Sequence, residues 1–123
     1  MTGIVLFAHG STVESANDAV RTVTAELARR TGEWVETAFL DCASPRLADA
    51  VGTLVTGGAT RIVVIPYFLT LGAHLQRDLP RIADELRRIY ESVSIDIAEP
   101  LDGHPALLEI LMDRWKSAHT KRG

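Results

Sequence analysis

Two histidines stand where apolar runs of this chain break into turns: His9 in GIVLFAHGS, and His74 in IVVIPYFLTLGAHLQRDLP at 62–80. In both, a partly β-branched run of strand character gives way to a glycine-containing loop that delivers an imidazole next to a segment of helical period. If both strands lie in one parallel sheet, the two rings share one edge, and Asp41, after the second apolar run, joins them. Neutral imidazole and carboxylate suit borderline first-row divalent ions such as iron, cobalt or nickel. An imidazole with a pKa of about 6.5 also moves protons near neutrality. Both chemistries stay open, beside the plainer readings of each histidine as a capping or hydrogen-bonding residue and of Asp41 as a carboxylate favoured by a helix dipole.

The remaining candidates divide the same way. Cys42 reads as a small apolar filler, His104 beside Pro105 as a helix cap, and His119 as a solvated tail residue. The loop carrying Tyr67, Phe68, Leu69 and Leu71 is apolar where loops are normally polar. Its side chains either complete the core or form a wall for a flat hydrophobic ligand. A glycine-rich phosphate loop, a G-x-S-x-G elbow and a C-x-x-C pair are all missing from the sequence, which disfavours nucleotide, serine-hydrolase and dithiol chemistry.

Four strand-like runs, at 4–8, 34–40, 61–68 and 93–98, are each followed by a segment of helical period. The first helix puts Ala16, Ala19, Val20, Val23 and Leu27 on one stripe, with Ser15 and Asp18 spaced as a capping box. The second starts at Ser44-Pro45 and stops at Gly57-Gly58. The third starts near Asp78 with Pro80 in its first turn, burying Leu79, Ile82, Ala83, Leu86 and Ile89. The fourth, entered through Pro105, turns Leu107, Leu108, Leu111, Met112 and Trp115 inward, and 117–123 frays. Repeated β-α units with near-continuous apolar strands predict an α/β fold: one doubly wound domain over 1–123, with a four-stranded parallel sheet of flavodoxin type, ordered 2-1-3-4, and helices on both faces.

At 123 residues, 46% of them hydrophobic, the chain supports one core. A net charge of -3 with 24% charged residues gives no basic face for nucleic acid. One cysteine cannot form an internal disulfide, and no apolar run approaches the roughly 20 residues of a membrane span. The expected partner is a small molecule or another protein, and the expected compartment is the cytoplasm.

AHGS at 8–11, AFLD at 38–41 followed by SPRL, P-Y-F-L-x-x-G-x-H-x-x-x-D-x-P at 66–80 and EPLDGHPALLEIL at 99–111 resemble the short form of the sirohydrochlorin chelatases, the class II cobalt- and iron-inserting family. The resemblance implies a chelatase half-domain that inserts a divalent metal (cobalt, iron or nickel) into the tetrapyrrole sirohydrochlorin, on the route to cobalamin or sirohaem, without an organic cofactor. It implies that His9 and His74 hold the incoming metal and accept pyrrole protons. Asp41 stands where the family usually has glutamate, one methylene longer. Two histidines and a carboxylate leave coordination positions open for the macrocycle. Gly10, Ser11, Thr12, Phe68, Leu71 and Gly72 are the implied tetrapyrrole pocket, with Arg46 and Arg77 as candidate partners of the substrate carboxylates. Long relatives carry two such domains facing across a cleft, so a homodimer is implied here. The competing reading is a non-catalytic carrier of metal or tetrapyrrole; a regulatory or nucleotide-binding domain of the same fold is weaker.

Overall fold

The β-branched and aromatic runs form β1 (Thr2–Ala8), β2 (Trp34–Phe39), β3 (Arg61–Pro66) and β4 (Ser94–Ile97), and the periodic segments form α1 (Glu14–Thr31), α2 (Leu47–Thr56), α3 (Ala73–Ile89) and α4 (Pro105–Arg122). They are seen in a computed structural model that describes residues 1–122. All strand pairs are parallel and the order is β2-β1-β3-β4, the one expected for a flavodoxin-type sheet. Alternation along β1 splits the core into two layers. Val5 and Phe7, with Ile62, Val64 and Ile95, pack under Leu47, Val51 and Leu54 of α2 and Leu75, Leu79 and Leu86 of α3. Ile4, Leu6 and Val35 pack under Val20, Leu27 and Ala28 of α1. Burying each large apolar side chain is worth about 2 kcal/mol, so the two-helix face holds most of the stability. No helix among the described residues is long and apolar enough to cross a membrane.

Several helix details differ from expectation. The N-cap of α1 is Val13, whose N–H donates to Ser11 Oγ (3.0 Å), so Ser15 and Asp18 form no capping box. Asp18 and Glu14 instead accept from Arg21. The most buried residues of α1 are Asn17 and Thr24, at 1% and 7% exposure, because each finds hydrogen-bond partners; Thr24 meets Thr37 of β2 at 2.7 Å. This turns the helix toward β2 and leaves Ala16, Ala19 and Val23 exposed. Helix α2 begins after Arg46, so Ser44 and Pro45 lie outside it, with the Pro45 carbonyl accepting from Phe39 N–H (2.8 Å).

Helix α3 begins five residues earlier than Asp78, at Ala73, so His74 sits in its first turn and Pro80 within it. Pro80 is exposed, and buried Leu75 and Leu79 hold the helix to the sheet despite the backbone bond that proline cannot make. Ile89, expected inside, is 67% exposed. Helix α4 departs furthest. Leu108, Leu111 and Trp115 are 61–65% exposed and Met112 44%, with only Leu107 partly covered. Residues 117–122, expected to fray, continue the helix, and Gly123 lies outside the described residues.

Candidate functional site

Each parallel strand ends at the same edge, and backbone bonds carry the pairing past the strands. Leu40 N–H donates to Ala8 O and Asp41 N–H to His9 O, both at 2.9 Å, while Tyr67 N–H donates to Phe7 O at 2.7 Å. The segments after β1, β2 and β3 are thereby zipped together. Gly10 makes the closest approach possible: its φ is +89°, and a Cβ there would stand 1.9 Å from the Asp41 carbonyl oxygen. Only glycine fits that turn.

The loop after β1 is held from beneath by Asn17. Its Oδ1 accepts from Ser11 N–H (3.0 Å), and its Nδ2 donates to Ser11 O (2.8 Å) and to Glu14 Oε2 (3.2 Å). Arg21 first, and Asn17 second, hold the Glu14 carboxyl below its ordinary pKa of 4.5 by hydrogen-bonding its charged form. Sequence reasoning passed over Asn17. An amide inside an otherwise apolar helix face was the available signal, since such a group is buried only with partners.

His9 is exposed, and its Nδ1 lies 3.0 Å from Gly10 O. A carbonyl oxygen only accepts, so Nδ1 carries the proton and the neutral ring presents an unprotonated Nε2. His74, also exposed, differs: Arg77 Nη2 donates to its Nδ1 at 3.1 Å, which places the neutral ring's proton on Nε2. One imidazole offers a lone pair at the edge, and the other an N–H beside a guanidinium.

Asp41 is committed locally. Its Oδ1 accepts from Cys42 N–H (2.8 Å) and lies 3.5 Å from Arg46, which also donates to Leu40 O (3.1 Å). Cys42 is no apolar filler: it is exposed, with φ +65°. Among the described residues, no three of His, Cys, Asp and Glu stand close enough to hold a metal ion. His9, His74 and Asp41 follow strands at a single edge without forming a ready-made metal centre.

The apolar loop after β3 divides by residue. Phe68 and Leu71 pack against the core, Phe68 tilted on Phe7 with ring centroids 5.8 Å apart, whereas Tyr67 and Leu69 are exposed. Leu101 N–H donates to Phe68 O (3.0 Å) and Asp102 N–H to Leu69 O (2.7 Å), pinning this loop to the segment ahead of α4. His104 Nδ1 accepts from Ala106 N–H (3.0 Å), the expected cap. Of the expected pocket, Gly10 and Ser11 are partly buried, Thr12 and Gly72 exposed, and Phe68 and Leu71 half-buried. A cavity of about 180 Å³ lies behind the edge, among Phe7, Phe39, Leu40, Arg46, Leu47, Ala48 and Ile82. Small-molecule sites run to roughly 300–1,000 Å³, so this hollow is too small for a macrocycle. The edge is an open rim.

The CbiX family model matches residues 3–118. A sirohydrochlorin cobaltochelatase of Saccharolobus islandicus is 34% identical over 127 residues, covering 98% of both chains. The chloroplastic sirohydrochlorin ferrochelatase of Arabidopsis thaliana is 33% identical over 113 residues, which cover 91% of this chain and 50% of that one. The crystal structure of a CbiX protein assigned to cobalamin (vitamin B12) biosynthesis, from Marinobacter aquaeolei VT8, superposes with a TM-score of 0.84 at 28% identity over the whole of both chains.

Proposed function

The chain belongs to the CbiX family and is a chelatase that inserts a divalent metal into sirohydrochlorin; we propose that His9 is the residue at which metal and macrocycle meet, with His74 as its counterpart. Insertion exchanges two pyrrole N–H protons for one divalent ion, so it needs a weak metal ligand and a proton acceptor but no redox partner. His9 supplies either through Nε2, which the neutral ring leaves unprotonated when Nδ1 donates to Gly10 O, and that 3.0 Å contact is the observation that carries the reading. His74 offers an N–H to a substrate carboxylate. When Arg77 turns to that carboxylate instead, the Nδ1 lone pair becomes available to the ion. Asp41 acts from behind, keeping its turn and Arg46 in place.

Cobalt is our first assignment, because the archaeal relative matched from end to end is a cobaltochelatase; iron is the second. The open rim lacks a second wall for a flat substrate, and this chain matches half of the Arabidopsis relative. The missing wall is a second copy of this chain. An exposed free thiol at Cys42 fits a reducing cytoplasm, where such groups persist.

The test is the absorption spectrum of sirohydrochlorin, followed with purified protein and cobalt, iron or nickel in parallel. Removing a proton acceptor costs roughly 100- to 10,000-fold in rate, so His9→Ala should lose at least the lower figure and His74→Ala less. A His9→Ala protein that stays folded and inserts metal at the unaltered rate defeats the assignment.

A further inference from the structure

Helix α3 carries His74 and Arg77 three residues apart, and so on one face near its start. Arg77 Nη2 lies 3.1 Å from His74 Nδ1. A guanidinium only donates, so this contact occupies the Nδ1 lone pair and leaves the neutral ring's proton on Nε2. Neither nitrogen then has a lone pair to give a metal ion. Moving the proton to Nδ1 would open Nε2, but it would turn two N–H groups toward each other.

The rest of the rim offers little to a cation. Asp41 Oδ1 is taken by Cys42 N–H and Arg46, and among the described residues no three metal-ligating side chains stand together. Of the two imidazoles, only His9 presents an open nitrogen. The start of α3 suits an anion instead. Its N-cap Gly72 makes no side-chain cap bond and its first turn holds no acidic residue, so the positive end of the helix is uncompensated there. Asp78, which Arg77 faces at 3.6 Å, is already held by Arg81 at 3.1 Å. Arg77 is 70% exposed and can swing to a ligand without unpacking the core.

We propose that Arg77 is a positioning residue that withholds His74 from metal until a carboxylate of the macrocycle draws the guanidinium off, so that the tetrapyrrole binds before the ion is gripped. This rests on the assignment of His74 above and goes beyond it by fixing an order of binding. A carboxylate accepts both arms of the guanidinium fork, whereas a ring nitrogen accepts one, so the exchange runs toward the substrate. Once Arg77 has left, Nδ1 ligates the ion while Nε2 keeps its hydrogen, and no proton has to move. The local charge changes in the same step: the carboxylate neutralises the guanidinium that repels a divalent ion beside His74. The free chain therefore holds metal weakly, and an ion meets both imidazoles only where a macrocycle waits to receive it.

The test titrates cobalt(II) alone into the full chain by calorimetry at about pH 8, where an imidazole with a pKa of about 6.5 is neutral. Arg77→Ala should bind cobalt roughly tenfold more tightly than the wild type, which is about 1.4 kcal/mol. Adding His74→Ala to that variant should return the affinity to the wild-type value. Arg81→Ala removes one positive charge a turn further along without touching His74, and should leave cobalt affinity nearly unchanged. Sirohydrochlorin without metal, followed by its absorption, should bind Arg77→Ala several-fold more weakly. In isotope trapping, labelled sirohydrochlorin bound to the wild type should be carried into product on mixing with cobalt and excess unlabelled macrocycle, whereas labelled cobalt mixed first should be diluted by the unlabelled ion. An unchanged cobalt affinity in Arg77→Ala, a gain that survives His74→Ala, an equal gain in Arg81→Ala, or trapping of the labelled cobalt would each overturn the proposal. Insertion is assayed separately: a chain with the expected affinities that inserts no metal would sink the His9 assignment and leave the Arg77 latch standing.

Discussion

Replacing Asn17 by alanine tests whether the loop carrying His9 is preorganised from below. Asn17 is 1% exposed and makes three hydrogen bonds, two to the backbone of Ser11 and one to the Glu14 carboxylate. Bonds of this kind contribute about 1 kcal/mol each, and a partly buried backbone group left unpaired costs as much again, so the loss should be about 3 kcal/mol. For a chain of this length that lowers Tm by about 10 °C. The expected catalytic effect is separate: with Ser11 released, the Gly10 turn and the His9 ring sample more orientations, and kcat falls at saturating sirohydrochlorin in protein that is still folded at the assay temperature. Asn17→Asp sharpens the experiment, because it keeps an acceptor for Ser11 N–H but sets a carboxylate against Ser11 O and Glu14; it should be no better than alanine. Thermal denaturation and initial rates measure both. A loss under about 1 kcal/mol in both variants, with kcat intact, would refute the view that Asn17 holds the loop.

Three further outcomes follow from other contacts. Gly10→Ala forces a Cβ to within 1.9 Å of the Asp41 carbonyl at a φ of +89°, and should cost more than about 2 kcal/mol in chemical denaturation while separating the ends of β1 and β2. Thr24→Val leaves the Thr37 hydroxyl without its partner inside the core, and should cost about 1–2 kcal/mol by the same measurement. Because Arg21 depresses the Glu14 carboxyl below 4.5, the stability it contributes is complete above that pH and declines as pH falls through the folded value; Arg21→Ala should flatten this acid-side slope in stability measured from pH 5 downward.

The strands were legible because their burial on both faces demands near-continuous apolar runs; their order came from analogy with a flavodoxin-type sheet, since one-handed crossovers restrict the possible orders without selecting one. Positions of His9, Asp41 and His74 at the carboxyl edge followed from that topology. Helix starts were less legible. Ser15 and Ser44 looked like caps and Asp78 like the start of the third helix, yet Val13, Arg46 and Gly72 occupy the cap positions, since tertiary contacts outweighed about 1 kcal/mol of capping preference. In α3 the competing influence was the burial of Leu75 and Leu79, which extends the helix back over His74 and carries Pro80 into its interior. The Asn17 latch was illegible for a different reason: its partners are the backbone of a loop six residues away, and no side-chain pattern records them.

Helix α4 shows a limit of another kind. Its period correctly marks Leu108, Leu111, Met112 and Trp115 as one face, and the sequence reading turned that face into the chain's own core. Hydrophobic periodicity states that a surface will leave water; it carries no information about whose atoms replace the water. In a chain whose fourth helix lay over β3, the same stripe would meet Val63 and Ile65 within one molecule. Here the backbone bonds of Leu101 and Asp102 launch α4 from the carboxyl edge, and the identical side chains become surface.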